Sequence, residues 1–170
     1  MITRIVRTSC AGLALALLLA SSAFIAPAHA QPVSVASAGL RAGLSLSPDQ
    51  FVFGGQMALN VAPHWTVDPS IDLGFGDGES DVGINFDALY HAQMRESDWR
   101  PYFGGGLQIN TASIDEPPPF TDRSDTNLGL NAVLGFQVPA TQNYDWFGEL
   151  RLGVGDVANL KLMGGLNFRL

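Results

Sequence analysis

The sequence is 170 residues long and carries sixteen acidic residues against nine lysines and arginines, for a formal net charge of −7. Its length fits one domain, and its acidic balance disfavours nucleic acid and other phosphate-rich partners. No apolar run beyond the first thirty residues approaches the length of a membrane-spanning helix.

The N-terminal segment has the pattern of a cleaved secretory signal. Arg4 and Arg7 precede an apolar stretch at residues 11–20, and the Ala-His-Ala of residues 28–30 fits a cleavage site. An uncleaved membrane anchor is the alternative, but this stretch is shorter than the ~20 residues that a spanning helix needs. We therefore expect removal of the segment.

This cleavage predicts a signal peptide at residues 1–30 and a single domain at residues 31–170. The signal holds two of the nine basic residues and none of the sixteen acidic ones, so the mature domain would have a net charge of −9. The one cysteine, Cys10, also lies in the signal. Disulfides and thiol chemistry are therefore excluded from the predicted domain.

Alternation of apolar and polar residues is the strongest pattern in the predicted domain. Phe51, Phe53 and Met57 share one parity, whereas Gly54 and Gln56 share the other, as in a strand with one apolar face. Each such segment is close to the ~9–11 residues that cross a bilayer as a tilted strand. In chain order the eight segments are 40–47, 51–61, 67–75, 82–92, 102–110, 127–138, 149–154 and 160–170.

Turn-forming residues separate these segments, and no helical period competes with them. The turns are predicted at residues 47–49, 62–64, 76–78, 95–98 and 139–143. An even number of strands lets an antiparallel meander close on itself and leave no free edge in lipid. The predicted fold is therefore all-β, a closed antiparallel up-and-down transmembrane β-barrel of about eight strands.

Two prolines and one long connection qualify the strand assignment. Pro69 and Pro101 fall inside predicted strands, and because proline lacks an N–H, we expect these strands to begin late or to bulge near their first residues. The longest connection, residues 113–126, contains prolines at 117–119 and is expected to be extended and mobile.

The distribution of charge indicates which face of the barrel is inside. A soluble barrel also alternates but turns its apolar face inward and a densely charged face to water. Here the apolar parity carries no charge, and the polar parity is mostly small and neutral, which suits a narrow lumen. We expect a lumen charge network of Arg41, Asp68, Asp72, Asp87, His91, Arg100, Glu149, Arg151, Lys161 and Arg169.

Aromatic residues support the same orientation, because indole rings collect at membrane interfaces. Trp65, Trp99 and Trp146 each follow an even-numbered connection and lie on the apolar parity. With both termini in the periplasm, these tryptophans form a periplasmic girdle together with Phe168. The opposite girdle is predicted to comprise Phe51, Phe53 and Phe75.

Within the lumen, Asp72 and Asp87 are expected on neighbouring strands, where Arg41, Arg151 or Lys161 could reach them. One hypothesis is that ion pairs plug the lumen and that Glu149 and Arg151 lie at the centre of this plug. The alternative is a hydrated lumen with loosely paired charges.

The odd-numbered connections are predicted to be extracellular and strongly acidic. They hold Asp49, Asp77, Glu79, Asp81, Asp115, Glu116, Asp122, Asp125 and Asp156 against Arg123. Solvated loops that resist aggregation are the favoured interpretation. Divalent cations bridging to lipopolysaccharide are the alternative, although residues 77–81 lack a complete calcium-loop pattern.

Few residues of the predicted domain could take part in catalysis or bind a metal. The predicted domain retains two histidines, His64 in a predicted turn and His91 on the lumen side of its strand near the periplasmic end. A structural polar contact is the favoured role of His91. We predict no enzymatic activity, no cofactor and no metal site.

Three segments carry a resemblance to a known family. They are residues 101–107 (PYFGGGL), 144–151 (YDWFGELR) and 164–170 (GGLNFRL). The chain resembles the bacterial outer-membrane β-barrel (porin-like) families, and the small eight-stranded OmpA-, OmpX- and OmpW-like barrels are the nearest group. The family ending is usually aromatic and is read by the assembly machinery; here the chain ends in Leu170, with Phe168 two residues earlier.

These observations predict an integral protein of the bacterial outer membrane with a structural or interaction role. The alternatives are a narrow porin-like channel or transporter of small solutes, and a soluble periplasmic ligand-binding barrel. The expected partners are outer-membrane lipid and lipopolysaccharide, with the assembly machinery during biogenesis. The barrel is expected to be monomeric.

Overall fold

The computed structural model of the chain describes residues 32–47, 49–76, 79–94, 97–114, 123–157 and 159–170. Several sequence predictions lie outside these residues: the signal peptide, parts of three turns (Pro48, Asp77 with Gly78, and Arg95 with Glu96), the prolines at 117–119, and the loop acids Asp115, Glu116 and Asp122. Among the described residues, no helix is long and apolar enough to cross a membrane.

Eight antiparallel strands form one closed barrel in sequence order, and β1 pairs with β8 to complete it. This confirms the predicted fold. The strands are β1 (Ser34–Leu46), β2 (Asp49–Ala62), β3 (Trp65–Gly76), β4 (Glu79–His91), β5 (Arg100–Ile114), β6 (Arg123–Pro139), β7 (Tyr144–Gly155) and β8 (Leu160–Arg169).

The strands alternate between an exposed apolar exterior and a buried, mostly polar interior, as the sequence pattern predicts. On the exterior, Leu40 is 68% exposed and Leu134 is 60% exposed. On the interior, Asp72 is 1% exposed and Asp87 is fully buried. The charged core and the apolar surface are the reverse of a soluble globular protein.

Some strands are longer than their alternation indicates. β1 begins at Ser34, because a register shift between Val35 and Ser37 interrupts the pattern that identifies residue 40 as the start. β5 and β6 extend to Ile114 and back to Arg123, through residues too polar to stand out as strand. The β5–β6 connection is therefore shorter than predicted.

The two prolines behave differently. Pro101 is the second residue of β5, near the strand start as expected. Pro69 lies further into its strand, because β3 begins at Trp65; the β2–β3 ladder shifts register near that start, between Asn60 and Ala62, but not at the proline itself. The pairs between β2 and β3 are interrupted between Ser70 and Val67, since Pro69 has no N–H to donate.

Candidate functional site: the barrel lumen and its two ends

A guanidinium–carboxylate pair joins β1 to β3 across the lumen. Nε of Arg41 lies 2.7 Å from Oδ1 of Asp72, and Nη2 lies 2.7 Å from Oδ2, so the contact is bidentate. Both side chains are almost fully buried. Gly54 on the intervening strand leaves room for this pair, because a Cβ there would collide with the Asp72 carboxylate.

A second group of charges lies on β4 and β7. Nη2 of Arg151 lies 2.7 Å from Oδ2 of Asp87, and Nε of Arg151 donates to Oε1 of Glu149. The hydroxyl of Tyr102 donates to Oε2 of Glu149 at 3.0 Å. One arginine therefore compensates two buried carboxylates, and a tyrosine occupies the remaining oxygen of Glu149.

The two groups meet near the middle of the lumen. Nη1 of Arg41 lies 3.9 Å from Oε1 of Glu149, which links the β1–β3 pair to the charges on β4 and β7. Asn85 donates to Ser70 at 3.3 Å and to Oδ2 of Asp72 at 3.2 Å. We call Arg41, Asp72, Asp87, Glu149 and Arg151 the central cluster; each member is at most 4% exposed. The central cluster therefore connects strands β1, β3, β4 and β7 through buried charged side chains.

Apolar side chains adjoin the central cluster. Leu89, Tyr102 and Val133 form a buried hydrophobic group, and each is at most 4% exposed. They occupy lumen-facing positions that a polar pattern does not reveal. The lumen is therefore packed with both charges and apolar groups, as expected of a narrow eight-stranded barrel.

Other predicted members of the lumen network lie at a distance from the central cluster or without an ion pair. Lys161 is 2% exposed, and no carboxylate lies within ion-pair distance of it in the described part of the chain. Asp68 is also buried and has one unpartnered oxygen. His91 is half-buried, and its Nε2 lies 3.0 Å from Oγ1 of Thr66.

The assignments of Arg100 and Asp81 require correction. Arg100 is exposed at the rim of the barrel and does not enter the lumen network, because it is the first residue of β5. Asp81 was assigned to an acidic loop, but it is buried in β4, with its side chain in the lumen beside Gly74. The glycine supplies the space that admits it.

Sequence reasoning also missed Asp145, the partner of Arg169. Nε of Arg169 donates to Oδ2 of Asp145 at 3.0 Å, and Nη2 donates to Oδ1. Nε2 of Gln137 donates to Oδ2 of the same carboxylate. Asp145 neighbours the exterior Trp146 and so has lumen parity, which is the signal that identifies it.

The two ends of the barrel differ in their aromatic residues. Trp65, Trp99 and Trp146 are exposed at the end where β1 begins and β8 ends, which we call the termini end. Trp99 stacks on Phe136 at 4.8 Å, and Trp65 meets Tyr90 edge-on at 5.4 Å. Phe168 is exposed at the same end.

Phe51, Phe53 and Phe75 lie at the opposite end, which we call the loop end, and all are more than half exposed. Phe51 pairs with Phe75 across β2 and β3, and it stacks on Phe53 at 6.3 Å. Exposed apolar side chains lie between the two aromatic groups, and we call them the apolar belt; they include Leu40, Leu107, Leu134 and Leu150.

Each end opens into a cavity. The termini end has one of about 690 Å³, lined by His64, Thr66, His91, Arg100 and Arg169 among others. A smaller one of about 380 Å³ lies at the loop end against Phe51 and Phe75. Among the described residues, no group of three His, Cys, Asp or Glu side chains is arranged to hold a metal ion.

Acidic residues mark the loop end. Asp49, Asp125 and Asp156 are exposed there, and Glu79 is half-buried. This part of the predicted acidic rim is present in the structure.

No family model and no curated protein matches the sequence. In structure, the chain is similar to the N-terminal β-barrel domain of Pseudomonas aeruginosa OprF, with a TM-score of 0.66 and 16% identity over 81% of this chain and 100% of that domain. It is equally similar to Neisserial surface protein A, with a TM-score of 0.66 and 18% identity over 82% of this chain and 100% of that one.

The attachment invasion locus protein Ail of Yersinia pestis is a further neighbour, with a TM-score of 0.58 and 14% identity over 81% of this chain and 98% of that one. At these identities the likeness concerns the fold. The fold is that of the small eight-stranded outer-membrane β-barrels, which confirms the resemblance found in the sequence.

Proposed function

We propose that this protein is an integral barrel of the bacterial outer membrane with a structural or interaction role, and that its lumen is closed to solutes. The observation that carries the proposal is the central cluster. Five charged side chains from four strands meet there, each at most 4% exposed, and their ion pairs cross the lumen. A solute on the barrel axis would have to separate these pairs in a region of low dielectric, which is costly.

The exterior supports the membrane location. Large apolar side chains are exposed on every strand, and aromatic residues gather at both ends of the belt. In water, such a surface would lead to aggregation, whereas lipid acyl chains cover it without cost. Outer-membrane lipid and lipopolysaccharide are therefore the expected partners of the belt, and the assembly machinery is the expected partner during insertion.

The described residues offer little to a catalytic role. His91 is engaged by Thr66, and His64 lies in the β2–β3 turn with a positive φ of 66°. Neither contacts a serine or a carboxylate in a relay of the kind that activates a nucleophile. We propose that the surface-exposed ends, rather than a reaction, carry the function.

Single-channel recording in planar bilayers tests the closed lumen. The wild-type barrel is expected to give no steady current, because the central cluster occludes it. A double variant, Arg41→Ser with Arg151→Ser, replaces both arginines of the cluster with short neutral side chains and serves as the control that can conduct, provided that it still migrates as a folded barrel. A steady ohmic current through the wild type would overturn the proposal in favour of a narrow channel.

A further inference from the structure

At the loop end, the paired strands β5 and β6 extend further than the neighbouring strand β7. The β5–β6 pairs continue to Ile114 opposite Arg123, whereas the β6–β7 pairs begin only at Gly129 opposite Gly155. Residues 123–128 of β6 are therefore paired with β5 on one side and, among the described residues, with no strand on the other. Six residues at ~3.4 Å each give a free edge of about 20 Å.

Along this edge, the N–H and C=O groups of every second residue point away from β5. The carbonyl of Pro101 accepts from the N–H of Ala92 at 2.9 Å, so Pro101 is directed toward β4 and away from β6. Its partner on β6 is Phe136, which must then be directed away from β5. Even-numbered residues of β6 therefore present their N–H and C=O groups to the β7 side.

The β5–β6 ladder has no register shift along its length, so the same alternation reaches the free edge. Ser124 and Thr126 accordingly offer both their N–H and C=O groups there, and Leu128 offers its N–H, since its C=O flanks the first β6–β7 pair. Proline and β-bulges are two of the devices by which proteins prevent an exposed edge from pairing with another strand. Residues 123–128 contain no proline, and no bulge interrupts them. Their charged residues are Arg123 and Asp125.

The edge lies beyond the apolar belt. Leu128 is the last large apolar residue of β6 at the loop end and is 62% exposed, whereas Ser124, Asp125 and Thr126 are exposed polar residues. The hydroxyls of Thr126 and Thr111 lie 3.0 Å apart and hold the β5–β6 wall together at this height. The edge is therefore placed in water, where a partner can reach it.

From this geometry we propose that residues 123–128 form a docking edge that takes an extended, basic peptide segment of another protein as an added strand. The charge of the partner follows from its surroundings. Asp156 directly follows the end of β7 and is exposed, Asp49 at the start of β2 is exposed at the same end, and Glu79 is half-buried there. The inference rests on the proposed interaction role and names its partner class.

A second copy of the chain fits the edge poorly. Barrel strands tilt by roughly 35–45°, so the β6 edges of two barrels standing side by side would cross rather than align. Two acidic loop ends would also repel each other. A flexible segment can adopt the strand direction and supply the opposite charge.

Amide hydrogen exchange of the barrel in nanodiscs tests the proposal, with an eight-residue peptide of alternating lysine and threonine as the probe. In the free barrel the amides of Ser124, Thr126 and Leu128 are expected to exchange quickly, and the peptide is expected to slow their exchange. A glutamate–threonine peptide and a lysine–threonine peptide with alternate N-methylated amides are the controls. Both are expected to leave the exchange unchanged.

Thr126→Pro removes one outward N–H, and Thr126→Val is its matched control because it removes the same hydroxyl but keeps the amide. The proline variant is expected to bind the peptide about five- to tenfold more weakly than the valine variant, as for one lost hydrogen bond.

Four results would overturn the proposal: amides already protected without peptide, protection that depends on barrel concentration, no protection by the lysine peptide, or equal protection by the glutamate peptide. A steady current through the barrel would instead count against the closed lumen and leave the edge intact.

Discussion

At the residue scale, the central cluster depends on arginines that each serve more than one acceptor. Arg151 contacts both Asp87 and Glu149, and Arg41 contacts Asp72 with Glu149 nearby. A buried carboxylate that loses its only cation remains desolvated and uncompensated, which costs more than the pair itself contributes. Replacing either arginine is therefore expected to lower the free energy of unfolding more than replacing any other side chain of the lumen.

The first prediction concerns Arg151→Met, which keeps most of the side-chain volume but removes the charge. It should destabilise the barrel by about 3–5 kcal/mol, because two buried carboxylates are left without their cation. Urea unfolding in lipid vesicles measures the change. Arg100→Met is the matched control: Arg100 is exposed at the rim and pairs with no carboxylate among the described residues, so the substitution should change the free energy of unfolding by about 0.5 kcal/mol or less. Equal losses in the two variants would contradict the account.

Sequence parity identifies most lumen residues but not their partners. It places Arg41, Asp72 and Asp87 inside, yet it cannot reveal which of them meet, because that depends on the stagger of strands around the barrel. Arg100 was misplaced since a strand's first residue can satisfy the parity and still lie at the rim. Asp81 was misplaced since a glycine-lined space at Gly74 admits a carboxylate that resembles a loop residue in the sequence.

At the element scale, each strand contributes one apolar row to the lipid-facing belt. The row of β6 runs from Leu128 at the loop end through Leu134 to Phe136 at the termini end, where Trp99 stacks on it. The depth of a residue along this row sets the cost of placing a charge there.

The second prediction uses this depth dependence. Leu134→Arg, near the middle of the belt, should destabilise the inserted barrel by about 2–4 kcal/mol, whereas Leu128→Arg, at its boundary, should cost about 0–1 kcal/mol. Both residues are similarly exposed, so the comparison isolates depth in the membrane. Unfolding titrations in vesicles supply both values, and a larger cost at the boundary than at the centre would contradict the assigned belt.

The alternation of apolar and polar residues predicts the number of strands and which side chains face the lumen. It does not predict the residues at which the strands begin and end. The start of β1 is concealed by the register shift before Ser37, and the polar tips of β5 and β6 lack an apolar row beyond Ile109 and Leu128. Pro69 is expected near a strand start, yet β3 already begins at Trp65. β3 pairs with β4 directly across Pro69 while its pairing with β2 is interrupted.

At the scale of the whole molecule, the proposed function rests on two features, the apolar belt and the buried charges of the lumen. Both depend on closure of the barrel. The β1–β8 pairing removes free edges within the belt, and the same closure confines the buried charges to the lumen. Strands β5 and β6 extend beyond β7 at the loop end and leave one edge of β6 outside the belt, where closure does not protect it.

The most direct test of the central claim is to measure which methyl groups contact lipid and which do not. In nanodiscs with selectively labelled methyls, Leu134 and Leu150 should show strong nuclear Overhauser effects to acyl chains, because they are exposed on the exterior. Val52 and Val133 should show none, because they are buried in the lumen. Lipid contacts at Val52 and Val133, or recovery of the folded protein in water without detergent and with Leu134 contacting water, would contradict a membrane-spanning barrel with a closed polar lumen.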